Sequence, residues 1–260
     1  MIKTEIGFTT VDSITVRGRS LVDDLIGKID FIDMLMLVIL GRECQGNERD
    51  MLNTILVTVT DHGLTPSAVA ARLTYTGAPE ALQGAVAAGL LGAGSVFLGS
   101  MENAAIMLVE GANGLAPDAT DQEVRAAAER LIDTRRAAKR PLAGLGHNIH
   151  IHGDPRIPAL RAVSERNGYF GLHWRLLLAI DEATERKFSR RLRTNTAGAV
   201  GAMVADMGLP THMARGLALI GRCAGLIGHI IEEEQSPTGQ ELWDLVLRQD
   251  DRNVLPDKAW

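Results

Sequence analysis

Lys139-Arg140-Pro141-Leu142-Ala143-Gly144-Leu145-Gly146-His147-Asn148-Ile149-His150-Ile151-His152-Gly153-Asp154-Pro155-Arg156 is the most informative segment of the chain. Gly144 and Gly146 bracket a point where backbone can come close to a ligand, because neither carries a side chain. His147 follows at once, and Arg156 lies just beyond an Asp-Pro turn. A histidine offered from a Gly-rich loop can move a proton, and an arginine can pair with a carboxylate. His147, His150 and His152 also invite a metal reading, since zinc sites use closely spaced histidines. Positions 147 and 150 do not alternate along an extended segment, and no Cys or carboxylate cluster completes a ligand set. No metal site is therefore expected, and His150 and His152 read as solvated loop histidines.

Outward from this loop the sequence is helical. Gln122 to Lys139 places Val124, Ala127, Ala128, Leu131 and Ile132 on one face, with Arg and Glu opposite. Phe31 to Leu40 is a dense apolar run behind Asp30, a suitable N-cap. Leu52 to Val59 fits a strand or a buried helix; helix is preferred because no period-two partner lies nearby. Gly198 to Met207 and Met213 to Ile231 read as buried helices, with Pro210-Thr211 marking a start between them. Breaks fall at Gly111 to Asp118, Pro141 to Pro155 and Ser236 to Gly239.

Composition sets the outer limits. At about 150 residues per domain, 260 residues make one or two domains. Hydrophobic residues at 46% and charged residues at 23% exclude a disordered chain or a coiled-coil rod. A net charge of −5 argues against a nucleic-acid partner. Aromatics are only 4% while Gly numbers 27, so the core must pack through Ala, Leu, Ile, Val and Met, with Gly letting backbones approach. Cys44 and Cys223 are too few and too distant for a disulfide framework. From Ala81 to Met101 no residue is charged, a length that could span a membrane. Gly84, Gly89, Gly92, Gly94 and Gly99 with Gln83, Ser95 and Ser100 favour a buried helix running into a Gly-rich loop instead. No membrane partner and no targeting segment are expected, which makes the cytoplasm the default location.

The loop and three other segments together resemble one family. Lys139 to Arg156 looks like the Pro-Gly-Phe-Gly-His segment, followed by Asp-Pro-Arg, of citrate synthases and citryl-CoA lyases. Val57 to Ser67 (VTVTDHGLTPS) resembles the family's first histidine motif. Arg17-Gly18 with Ser20 to Ile26 resembles its opening segment, and Ile220 to His229 resembles its Ala-Arg-Thr-Ala-Gly-x-x-x-His helix. The matches run in the family's order. The short chain and the Asp-His-Gly form resemble citryl-CoA lyases, including the lyase module of ATP-citrate lyase, more than full-length citrate synthases.

The resemblance implies an all-α fold: a large helical domain from residues 1–105 and 206–260, with a small helical domain, 106–205, inserted. It implies a homodimer, and carbon–carbon cleavage of citryl-CoA or a related hydroxyacyl-CoA to acetyl-CoA and an oxo acid. His147 and His62 would be catalytic, the first acting on the hydroxyl or carbonyl oxygen. Arg156, Arg222 and Asn195 would bind the di- or tricarboxylate portion. Leu142, Ala143, Gly144, Leu145, Gly146, Asn148 and Ile149 would line the coenzyme A thioester, which enters as substrate; no tightly bound cofactor is implied.

Four departures qualify that expectation. Ala197 stands where the family carries a catalytic Asp. Phe97 lies near the position of a synthase histidine, Asn148 replaces an Arg, and Gln235-Ser236-Pro237 replaces a late Arg segment. Three readings follow: a lyase with another proton donor, such as Asp61, Glu102 or water; an enzyme that condenses or hydrolyses a different acyl-CoA; or an impaired relative that binds coenzyme A and carboxylates.

Overall fold

The computed structural model describes residues 2–256. Among them are eleven α-helices: α1 Phe31–Leu40, α2 Glu48–Val59, α3 Pro66–Gly77, α4 Leu82–Ala93, α5 Gly99–Ala112, α6 Asp121–Ala137, α7 Ile157–Arg166, α8 Leu172–Phe188, α9 Thr196–Asp206, α10 His212–Gln235 and α11 Gly239–Gln249. The predicted all-α architecture stands, with one addition. A small antiparallel sheet, β1 Gly7–Thr9, β2 Ile14–Val16 and β3 Arg19–Ser20, precedes the helices. Its strands are too short to show a period of two. Arg17 (φ 50°) and Gly18 (φ 79°) make the β2–β3 turn, and Arg17 donates from Nη2 to the Val38 carbonyl at 2.7 Å, tying the sheet to α1.

Local signals set most helix ends. Asp30 caps α1 by accepting from Asp33 N–H at 2.9 Å, as expected. Thr120 and Glu123 form a reciprocal capping box at α6, which buries the predicted face Val124, Ala127, Ala128, Leu131 and Ile132. The ambiguous run Leu52 to Val59 is helical, inside α2.

One long core joins the helices, from Met36 and Met51 through Leu108, Trp174, Leu177 and Val200 to Leu217. With so few aromatics, packing depends on backbone approach. At Gly201 a Cβ would stand 2.7 Å from Ala105 N, where α9 crosses α5. On α10, a Cβ at Gly221 would stand 2.7 Å from Val59 Cγ2, and one at Gly225 would overlap the Thr60 carbonyl oxygen. Helix α10 thus lies directly on the end of α2, and it also packs against α3, α4 and α5.

The charge-free run differs from expectation in two ways. No open loop follows α4: Gly94 to Leu98 forms a widened π-helical turn that leads straight into α5. Gly94, with φ 50°, absorbs the irregularity within the helix path. Nor is the run buried throughout. Leu91 is 81% and Val96 78% exposed, and Leu82 and Phe97 are exposed too, because α3 and α10 cover only one side. By length and composition Leu82–Ala112 and His212–Gln235 could each cross a bilayer; here both are packed laterally against other helices.

The α2–α10 contact yields a stability test. Gly225→Ala should destabilise the fold by about 1–3 kcal/mol through overpacking. Gly228→Ala, three residues on with open space around it, should be neutral or stabilising by up to about 1 kcal/mol. Urea unfolding of the two variants against the parent measures the difference.

Candidate active site

Two backbone contacts build the walls of a cleft of about 490 Å³. On one side α10 presses on the end of α2 and presents the Asp61-His62-Gly63 turn beside Arg222. On the other, Gly144 meets Gly198 so closely that a Cβ on either would overlap the other's backbone. This second contact holds the His147 loop on the N-terminus of α9. Gly146 N–H donates to the Arg193 carbonyl at 2.7 Å and Asn195 N–H to the Gly144 carbonyl at 3.0 Å, with a bridge between Leu145 and Thr194.

The cleft brings together His62, His147, Arg156, Arg222, Asn195 and Ala197, which are far apart in sequence. The His62 and His147 rings lie 5.8 Å apart, edge to face. His147 Nδ1 accepts the backbone N–H groups of Ile149 and His150, both at 3.0 Å. That leaves the neutral ring's proton on Nε2, as a donor. Burial lowers the His147 pKa below its ordinary value, and neighbouring His150 adds to the effect. Burial lowers His62 as well, reinforced by Arg156, His150 and Arg222. Both rings are therefore biased towards the neutral form.

Arg156 is held by Asp154 through a fork: Nε to Oδ1 at 2.9 Å and Nη2 to Oδ2 at 2.8 Å. Asp154 also accepts the Thr196 N–H and hydroxyl at 2.9 and 2.8 Å. Its burial alone would raise its pKa, but the hydrogen bonds from Arg156 and Thr196 hold the carboxyl well below the usual range. Arg222 is only 9% exposed, and burial lowers its pKa. Its Nε and Nη1 have no hydrogen-bond partner.

The expected coenzyme-lining stretch divides. Gly146, Asn148 and Ile149 line the cleft beside His147. Leu142 and Leu145 pack on the hydrophobic core, and the close approach at Gly144 is to α9 rather than to a ligand. Ala143 is half-buried and does not line the cleft. Asn195 lines the cleft, but its side chain is occupied internally. Its Nδ2 donates to the Gly146 carbonyl at 2.5 Å, and its Oδ1 accepts the Gly198 N–H at 3.2 Å to cap α9. Of the carboxylates considered as proton donors, neither Asp61 nor Glu102 lines the cleft. Asp61 accepts from Gly63 N–H and contacts His229 Nε2 at 2.9 Å, while Glu102 faces Arg215.

His150 is not the solvated residue expected. It is half-buried, 4.5 Å from His147 ring to ring, whereas His152 is exposed. Ring nitrogens of His62, His147 and His150 fall within 4.8 Å of one another, a spacing a divalent cation could bridge. His147 is a poor ligand as it stands, because its only lone pair already accepts two backbone N–H groups.

Sequence inspection missed the support behind His62. Arg72, 1% exposed, donates to His229 Nδ1 at 2.9 Å and to Glu233 at 2.7 Å. His229 then offers Nε2–H to Asp61, in the turn that carries His62. Glu233 caps the start of α11 through Thr238 and Gly239 N–H. The only sequence signal was His229 itself, on the helix that resembles the family's.

A family model described as "Citrate synthase, C-terminal domain" matches residues 8–243. "Putative citrate synthase 2" of Mycobacterium tuberculosis is 28% identical over 192 residues, covering 72% of this chain and 48% of that protein. "Probable ATP-citrate synthase subunit 1" of Schizosaccharomyces pombe is 24% identical, covering 81% of this chain and 35% of that one. The chain thus spans about half the length, or less, of these relatives. Citryl-CoA lyase from Hydrogenobacter thermophilus superposes with a TM-score of 0.81 at 28% identity, covering 100% of this chain and 96% of that one. An ATP citrate lyase from Methanosaeta concilii, in complex with (3S)-citryl-CoA, has the same fold (TM-score 0.74, 21% identity, 99% and 42% covered). With the matched region running from the β1 strand into α11, the chain belongs to the citrate synthase family.

Proposed function

We propose that the protein is a carbon–carbon lyase that cleaves citryl-CoA or a related hydroxyacyl-CoA to acetyl-CoA and an oxo acid. The observation that carries this reading is the meeting of His62 and His147 with Arg156 and Arg222 in one cleft. The full-length likeness to the Hydrogenobacter lyase supports it. Coenzyme A enters as the thioester substrate, along Gly146 to Ile149 and the apolar wall of Val59, Phe97, Leu98 and Met101.

The step needs one proton moved. The hydroxyl proton leaves the carbinol oxygen as the bond from the carbinol carbon to the thioester α-carbon breaks. The electron pair stays on the α-carbon as an enolate, which takes a proton to become the acetyl group, and the carbinol carbon becomes a carbonyl. His147 offers Nε2–H to that oxygen and stabilises its negative charge. His62, neutral and with no hydrogen bond on its ring, takes the hydroxyl proton. Ala197 supplies no acid, and no carboxylate lines the cleft among the described residues, so protonated His62 holds the proton that returns to the enolate.

A cytoplasmic homodimer belongs to the same proposal, as does the division into a large part (1–105 with 206–260) and a small one (106–205). Exposed Leu82, Leu91, Val96 and Phe97 support an apolar face between subunits, and unpaired Cys44 and Cys223 suit a reducing compartment.

Incubation with citryl-CoA and related hydroxyacyl-CoA thioesters should release acetyl-CoA and an oxo acid, read by mass spectrometry; a lack of release from every thioester rejects the proposal. His147→Ala should lower kcat by about 10²–10⁴-fold. The base must be unprotonated and burial lowers the His62 pKa, so the acid limb of kcat/KM should fall below pH 6.5. A limb above that value removes His62 as the base. Ala197→Asp places a carboxyl at the cleft wall and should leave turnover at least as fast as the parent's.

A further inference from the structure

Arg222 is the one cleft residue whose charge is unanswered. Its guanidinium is nine-tenths buried, lines the cleft and makes no hydrogen bond among the described residues. A buried cation without a partner is costly, so this group calls for an anion from the ligand. Its planar fork fits one carboxylate through two parallel hydrogen bonds.

Arg156 is the other cationic side chain of Lys or Arg type on the cleft wall, and it is in a different state. Its Nε and Nη2 are spent on Asp154, whose carboxylate balances the charge. What remains is a single Nη1 donor. The chain therefore brings one free two-pronged carboxylate clamp to the cleft, where citryl-CoA presents two free carboxylates. The rest of the wall includes apolar Val59, Phe97, Leu98 and Met101.

Resting on the lyase reading, we infer that the preferred substrate is a 3-hydroxyacyl-CoA with a single free carboxylate, borne on the carbinol carbon. The third substituent of that carbon is then hydrogen or a short alkyl group in place of a carboxymethyl arm. Cleavage moves the hydroxyl proton to the thioester α-carbon and leaves acetyl-CoA and a 2-oxo monocarboxylate. No oxidant or further reactant is needed.

The test compares kcat/KM of the full chain for malyl-CoA, citramalyl-CoA and citryl-CoA, with acetyl-CoA and the oxo acid quantified by mass spectrometry. At least one monocarboxylate thioester should exceed citryl-CoA by about tenfold or more. Arg222→Gln should abolish that margin, chiefly through KM, while the variant stays folded because it loses an unpaired buried charge. Citryl-CoA cleaved as well as or better than both others overturns this inference and leaves the lyase reading intact. Cleavage of none rejects the lyase reading. Calorimetry then decides carboxylate preference on its own: pyruvate or glyoxylate should bind at least as tightly as oxaloacetate and lose binding in Arg222→Gln, and tighter oxaloacetate overturns the inference.

Discussion

The contact of α10 with the end of α2 is the constraint on which the site depends. Gly221 and Gly225 let the two backbones meet where no side chain would fit. That approach sets Arg222 and His229 beside the Asp61-His62 turn, although these residues are separated by most of the chain. A second approach of the same kind, Gly144 on Gly198, fixes the His147 loop to α9. The cleft is the space between these two seams. Its chemistry is held in register by glycines that do not themselves take part in it.

This division explains what could be seen in the sequence. The His147 loop was visible because its residues are consecutive, and the four family-like segments in order pointed to His62 and Arg222. The α6 face and the α1 cap were visible because each is a local pattern. The Arg72–Glu233–His229–Asp61 chain was not, since its members come from four separate segments and obey no shared period. Gly144 shows a further limit. A glycine beside a histidine suggests ligand approach, but its neighbour is another glycine on α9. In the charge-free run, composition marked the residues as apolar without saying which of them a neighbour covers. Leu91 and Phe97 are as apolar as Leu98, and only Leu98 is buried.

The absent acid at Ala197 changes the balance of the site rather than emptying it. Two histidines biased towards the neutral form face each other, one with a fixed proton and one with a free lone pair. Their complementary states follow from different surroundings: backbone donors commit His147, and nothing commits His62. Asp154, the strongest carboxylate nearby, is fully engaged in holding Arg156 and Thr196. The local electrostatics thus separate a structural ion pair from a functional cation.

The unanswered charge of Arg222 couples the cleft to the stability of the whole chain. Because α10 packs on α2, α3, α4 and α5, the desolvated guanidinium is carried by the central element of the fold. An anion that pairs with it relieves strain felt by every helix α10 touches, and it binds the folded chain alone. Occupancy then acts as a folding ligand, adding RT ln(1 + [L]/Kd) to the stability, or about 2.7 kcal/mol at a hundredfold excess over Kd. The cell's pool of small carboxylates would in this way set how long the empty protein survives as well as how fast it turns over.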